Sequence, residues 1–306
     1  MTHRRAVFLM ICVTLMWSIA GIVTRHLDSA RGFEVTFWRS LFNALALLLV
    51  LGALQGPARL WRTLRSGGRP LWISGLCWCV MYTAFMVAIT LTTVANVLVT
   101  MALAPLLTAL CARVALGHRL ALRTWVAIAV AGTGIAWMYG SELGGGDARH
   151  WLGTAVALCV PVAAAIKWTL LQHLYRRAAS EPPPDMLAPV LLGALLSAAL
   201  TLPLALPLAA SAHDVALLAL LGVVQLAIPC LLAVRVARVL SAPEVSLLGL
   251  LEVVFGVLWV WLGTDEAPSA SVLGGGLVVL LALAANETLA LRRLLPMPGV
   301  SHTSRR

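Results

Sequence analysis

Residues 35–69 read VTFWRSLFNALALLLVLGALQ and then GPARLWRTLRSGGR, an apolar run that ends in four arginines. At 1.5 Å rise per residue, about 20 apolar residues cross the roughly 30 Å hydrocarbon core of a bilayer. A helix satisfies its own backbone hydrogen bonds there, where water cannot. Val35–Leu54 therefore reads as a membrane span, and the arginines after it mark the side on which it stops.

The same pattern repeats in both directions. Ten apolar blocks follow one another: Ala6–Thr24, Val35–Leu54, Leu71–Leu91, Val94–Leu116, Thr124–Gly140, Leu152–Leu174, Met186–Leu206, Val215–Val234, Val245–Leu262 and Val272–Leu291. Hydrophobic residues make up 61% of the chain and charged residues 11%, which excludes an ordinary soluble domain. Seventeen of the twenty-one arginines lie before the first block, in or at the edge of the even-numbered gaps, or in the tail, from Arg4 and Arg5 through Arg176 and Arg177 to Arg305 and Arg306. The odd-numbered gaps hold Arg25, Arg31 and Arg149 beside Asp28, Glu34, Glu142, Asp147, Asp214, Asp265 and Glu266. Arginine-rich loops stay in the cytoplasm, so both termini are expected there. The formal charge of +10 is a topology signal and not a nucleic-acid footprint.

The first block is too long for a signal peptide and leads straight into further spans. The longest gaps, Gln55–Pro70 and Gln172–Asp185, are too short for a domain, and the second holds Pro182, Pro183 and Pro184. All six cysteines fall inside apolar blocks, without the CxxC spacing of a metal site. The histidines sit at block ends or in gaps with no HExxH pair, and neither GxSxG nor a glycine-rich phosphate loop occurs. An enzyme, a metal centre and direct use of ATP are therefore not expected.

Ten blocks divide into two sets of five. An odd number per set inverts the second copy in the bilayer, the plan of many secondary transporters. At an offset of about 148 residues, Thr93-Val94-Ala95 and the run Ala104–Leu110 match Ser241-Ala242-Pro243 and Glu252–Leu258, while Ala127 and Gly134 match Gly275 and Ala282. The charges invert as well: the gap after the fourth block is basic and its counterpart after the ninth is acidic. The expected units are residues 1–145, residues 146–295 and a basic cytoplasmic tail, 296–306.

With these block patterns, with Trp17 in the first block, Phe37-Trp38-Arg39 in the second and Leu250-Leu251-Glu252-Val253 in the ninth, the chain resembles the EamA family of the drug/metabolite transporter superfamily. The resemblance implies an all-α, polytopic fold of ten transmembrane helices in two inverted five-helix repeats. It also implies a cavity among blocks 1, 3, 4, 6, 8 and 9, with 5 and 10 at the periphery. Two residues depart from the family pattern. Val253 stands where proline is usual, which would leave the ninth span straighter, and His118 stands where glutamate is usual.

Charges inside spans are costly and default to functional candidates. Lys167, the only lysine, has Ala163 and Ala164 on its helix face; it either faces a cavity and binds an anion or snorkels to the interface. Glu252, flanked by Gly249 and Gly256, is a candidate for binding a substrate amine or a coupling proton, or for a buried structural role. Arg39 is either an outer headgroup anchor or part of an outer gate or substrate-binding site. Trp17, Tyr82, Asn96 and Gln225 are candidate lining residues, against satisfied interhelical contacts. Pro105, Pro161 and Pro229 interrupt spans and are candidate hinges.

The expected function is secondary transport of a small amino-acid-like, zwitterionic or anionic metabolite by alternating access, with export favoured by family habit. The expected setting is a bacterial-type inner membrane, with the lipid bilayer as surroundings and a proton as one coupling option. A homodimer is left open. The rivals are drug efflux through an apolar cavity and a membrane sensor or assembly subunit.

Overall fold

A computed structural model describes residues 1–92, 94–117, 120–140, 148–177, 185–263 and 269–294. His118, the triplet Pro182–Pro184, Asp265, Glu266 and the basic tail lie outside the described residues. The described chain is all-helical, as its apolar, loop-poor composition dictates. In order the helices are α1 His3–Trp17, α2 Ala20–Thr24, α3 Phe33–Gln55, α4 Pro57–Ser66, α5 Gly68–Leu91, α6 Val94–Met101, α7 Ala104–Leu116 and α8 Leu122–Tyr139. There follow α9 Ala148–Arg177, α10 Ala188–Ala205, α11 Ala212–Leu220, a π-helical stretch Leu221–Ala227, α12 Ile228–Val236, α13 Ala242–Gly249, α14 Leu251–Gly263 and α15 Ala270–Leu294.

Among the described residues eight segments are long and apolar enough to cross a membrane, and Leu122–Met138 and Ala270–Asn286 are shorter apolar helices. Leu45, Leu48, Leu49, Leu76, Leu106 and Leu110 point outward and exposed. Such side chains belong against acyl chains, and the protein is an integral membrane protein.

Three of the crossings are broken. The first block divides at Ser18–Ile19, the fourth at Ala102–Leu103 and the ninth at Leu250. The last break corrects the expectation that Val253 in place of proline straightens the ninth span. Proline is one way to free a helix carbonyl; here i→i−3 bonds from Leu250 N to Leu247 O and from Val253 N to Leu250 O, both 3.1 Å, tighten the chain instead. In the eighth block the π-helical stretch ends two residues before Pro229, whose missing N–H suits the change of register.

The long helices close into a ring. α1 packs on α12 and α13, α3 on the π-helical stretch and α10, α10 on α5, α5 on α9, α9 on α7, and α7 on α13. Two glycine contacts set how closely helices approach. A side chain at Gly193 would bring its Cβ to 2.9 Å from the Gly75 carbonyl of α5, and one at Gly134 to 2.9 Å from the Gly275 carbonyl of α15. The second contact lies where α8 and α15 pack closely together.

At one end of the ring, two buried carboxylates fasten the loop before α3 to the loop before α11. Asp214 accepts from the N–H groups of Asp28, Ser29 and Ala30 at 2.8–2.9 Å. Glu34 accepts from those of Ala209 and Ala210 at 2.9 and 2.8 Å. These two acids thus satisfy loop N–H groups that would otherwise be orphaned. Asp28, His213 and Asp214 come together as well, but Asp214 is committed to these donors and holds no free face for a metal.

Candidate functional site

Inside the ring lies a cavity with about 80 Å³ open to the centre of a water-sized sphere. Its walls come from Met10 and Trp17 of α1, Met81 of α5, Leu98 and Met101 of α6 and Ala104 of α7. α9 adds Val160, Pro161, Ala164 and Trp168; α13 adds Val245, Ser246 and Gly249; α14 adds Glu252 and Val253. Blocks 1, 3, 4, 6 and 9 thus enclose it, as expected. The eighth block contributes no lining residue. Its Gln225 is taken up elsewhere, donating to the Trp17 carbonyl at 3.1 Å, which the break between α1 and α2 leaves without a helical partner.

Glu252 is the one ionisable side chain among these lining residues, and it is partly exposed to the cavity. It lies in the first turn of α14, where the helix begins anew inside the protein. Free N–H groups and the helix dipole favour a negative charge at such a position. Trp17 lines the cavity too, with Pro161 and Trp168 on the wall provided by α9.

Lys167 does not snorkel. It is fully buried, and it does not reach the cavity wall in this conformation. Its Nζ lies 3.2 Å from the centre of the Trp78 ring and 3.6 Å from that of Trp168, without a hydrogen-bond acceptor. Trp168 thus both faces this ammonium with its ring and lines the cavity. Two desolvated cation–π contacts contribute about 2 kcal/mol each, while removing an ammonium from water costs several. No carboxylate lies within ion-pair distance of Lys167 among the described residues.

Arg39 is not the exposed anchor that a lone arginine near a span end suggests. It is 2% exposed, and its guanidinium donates to the Tyr82 carbonyl at 3.1 Å. Glu252 and Cys230 are within its electrostatic reach. The reason is local: α3 is pressed against Gly222 of the π-helical stretch at the Arg39 carbonyl, which leaves this face no path to lipid.

Tyr82 is buried and stacks on Trp78, ring centres 5.4 Å apart, with its hydroxyl toward Asn43 and Cys230. Asn96 donates to Thr92 at 3.0 Å and Thr154 at 2.6 Å, an interhelical tie rather than a cavity group. Pro105 and Pro229 sit at the starts of α7 and α12, beside helix discontinuities, whereas Pro161 sits inside the unbroken α9.

The structure therefore brings Trp17, Pro161 and Glu252 to the cavity and places Lys167, Arg39 and Tyr82 behind its walls. Sequence reasoning missed Met10, Met81, Met101 and Trp168, because single methionines and tryptophans in apolar blocks carry no positional mark. It also missed Ser246, whose hydroxyl meets that of Thr108 at 2.8 Å where α13 packs on α7.

Residues 4–140 match the EamA-like transporter family. The match spans a little under half of the chain, so the likeness is to that family over this stretch. That family is part of the drug/metabolite transporter superfamily. The EamA-like match covers α1 to α8, so Trp17, Arg39, Tyr82 and Asn96 lie within it, and Lys167, Gln225 and Glu252 lie beyond. No curated protein matches the chain. The fold is found in solved structures: one, titled only "Crystal structure of protein", superposes with a TM-score of 0.76 at 18% identity, covering 95% of this chain and all of the other.

Proposed function

We propose that this protein is a secondary-active transporter that moves a small amino-acid-like or other zwitterionic metabolite by alternating access, in the export direction. The observation that carries the reading is the cavity at the middle of the ring, with a single carboxylate set at a helix break in walls of methionine, tryptophan and aliphatic side chains. Broken helices that aim a terminus at a midplane site are a recurrent device of such transporters.

In this reading the chain spans the membrane ten times, as two inverted repeats within residues 1–145 and 146–295. Both termini and the tail 296–306 are cytoplasmic, in a bacterial-type inner membrane. Two features support it. The breaks at Ala102–Leu103 and at Leu250 fall at the offset of about 148 residues that relates the two halves. The starts of α8 and α15, Leu122 and Ala270, keep the same offset.

The conformation reads as closed on the cytoplasmic side. There α7 and α13 pack together, Gln172 accepts from the Ala242 N–H at 2.9 Å, and Tyr175 donates to the Val234 carbonyl at 3.5 Å. Toward the other face α6 packs on α8 and α9, and α14 on α1, α2 and α15, with no comparable packing between α6 and α14. Glu252 would hold the substrate amine or a coupling proton, and Trp17 would shape the cavity.

Drug efflux is the second reading, favoured by the apolar wall. Solute counterflow in proteoliposomes tests both. Vesicles are loaded with amino acids and related metabolites, and uptake of each labelled compound is followed without an ion gradient. Uptake of one zwitterion supports the first reading. Uptake confined to lipophilic drugs supports the second, and no uptake of either class, with or without a pH gradient, removes both.

A further inference from the structure

We propose that Lys167 is a concealed subsite for a carboxylate, covered in this conformation by the indole of Trp168. The proposal rests on the transport reading and gives the substrate its second charge.

The ammonium is fully buried, and none of its three protons meets an oxygen or nitrogen acceptor. Two directions are filled by the faces of Trp78 and Trp168 at 3.2 and 3.6 Å. A π-face offsets part of the lost hydration but cannot neutralise the charge. The groups around it do not neutralise it either. Cys77 and Cys230 are the titratable neighbours within its electrostatic reach, and Glu252, the carboxylate of the cavity, reaches Arg39 instead. Glu34 and Asp214 are spent on loop N–H groups at one end of the ring. Among the described residues the middle of the ring thus holds two cations, Arg39 and Lys167, and one carboxylate. A single negative charge on the substrate would restore balance, which favours a monoanion over a phosphate dianion.

Trp168 is the cover because it touches both sides. Its ring contacts Nζ, and the same residue lines the cavity next to Pro161 and Ala164. Ala164, one turn away on the same face, lines the cavity beside Trp168. A substrate whose amine meets Glu252 in the open cavity would then bring its carboxylate to Lys167 as the indole yields. Selectivity for a zwitterion over a simple amine would come from this second contact.

The chemistry of the chain makes the test direct. Lys167 is the only lysine, so reductive methylation of the purified protein marks this side chain and the N-terminal amine, which serves as internal reference. Butyrate and butyramide have the same shape and differ in charge. Butyrate is expected to slow methylation of Lys167 about fivefold, the protection given by a ligand at about four times its dissociation constant. Butyramide is expected to leave the rate unchanged. Trp168→Ala should speed methylation about tenfold by removing the cover and keep the protection by butyrate. Trp168→Leu is read in its place should the alanine variant fail to elute as a single species on size exclusion.

Equal rates with butyrate and butyramide in both proteins would remove the subsite. A variant labelled no faster than wild type would remove Trp168 as its cover. Labelling needs no transport, so a protein that protects Lys167 but carries nothing keeps the subsite and loses the transport reading; transport of a zwitterion without protection does the reverse.

Discussion

Joining α7 to α13 should stop the transport cycle while leaving binding from the open side intact. The hydroxyls of Thr108 and Ser246 are 2.8 Å apart, which places the two Cβ atoms close to the spacing of about 3.5–4.5 Å that a disulfide needs. In the double variant Thr108→Cys, Ser246→Cys, oxidation should link the helices. A disulfide holds its Cα atoms within about 7 Å, so α7 and α13 could not part to open a cytoplasmic path. Counterflow is expected to fall more than about tenfold and to return on reduction. Thr108→Cys alone and Ser246→Cys alone control for the six native cysteines.

A milder change gives a graded version of the same test. Thr108 also donates to the Ala104 carbonyl at 2.7 Å, so its proton is spent there and Ser246 is the donor between the two hydroxyls. Ser246→Ala then removes one hydrogen bond and orphans no donor, a loss of about 1 kcal/mol. That should shift the balance toward the cytoplasm-open state about fivefold. Cysteine-labelling accessibility from the cytoplasmic side measures it. Quantitative cross-linking with unimpaired counterflow would refute the reasoning, because the packed ends of α7 and α13 would then have no part in the cycle.

Other expectations are as specific. Glu252→Gln should reduce counterflow more than about tenfold with an unchanged elution profile, since it keeps the shape at the α14 terminus and removes the charge; near wild-type uptake would dismiss Glu252 as the amine site. Lys167→Met should abolish uptake of a zwitterion and leave uptake of the matching amine near normal, measured side by side in the same vesicles. Asp214→Ala should lower the thermal unfolding midpoint in detergent by roughly 5 °C or more, because three loop N–H groups lose their acceptor. Gly193→Ala should destabilise by about 1–3 kcal/mol, as the added methyl would stand 2.9 Å from the Gly75 carbonyl; equal denaturant midpoints would show that α5 and α10 can move apart freely.

Much of the fold was legible because membrane burial imposes a coarse rule. Blocks of about 20 apolar residues and alternating arginines are properties of the solvent as much as of the protein. The same rule explains the short α4, which the sequence presents as a basic gap. Pro57 starts it, Arg59, Arg62 and Arg65 are available to headgroups, and Trp61 is exposed while Leu60 is buried, an interfacial helix rather than a loop. The depth of Arg39 was not legible, since a position near a span end says nothing of the neighbour that seals it, here Gly222. The enclosure of Lys167 was equally hidden, because Trp78 is far from it in sequence and the partners of a cation–π contact leave no spacing to read.

The broken ninth span shows why the site itself was half visible. Glu252 stood out as a carboxylate in an apolar block, but the absence of proline argued for an unbroken helix around it. An unbroken helix would have been the harder solution. In mid-helix a carboxylate at this depth faces N–H groups already bonded to carbonyls, and nothing offsets its lost hydration. The break at Leu250 makes Glu252 a first-turn residue of α14, near the positive end of that helix's dipole. The break and the charge therefore support one another, and the cost of each is lower in the presence of the other. The related break before Ala104 has no charge to serve; it starts α7 with Pro105 at its first turn, so of these two breaks only the one at Leu250 has an acid beside it. That asymmetry is what the proposed transport of a substrate with one amine would require of the cavity.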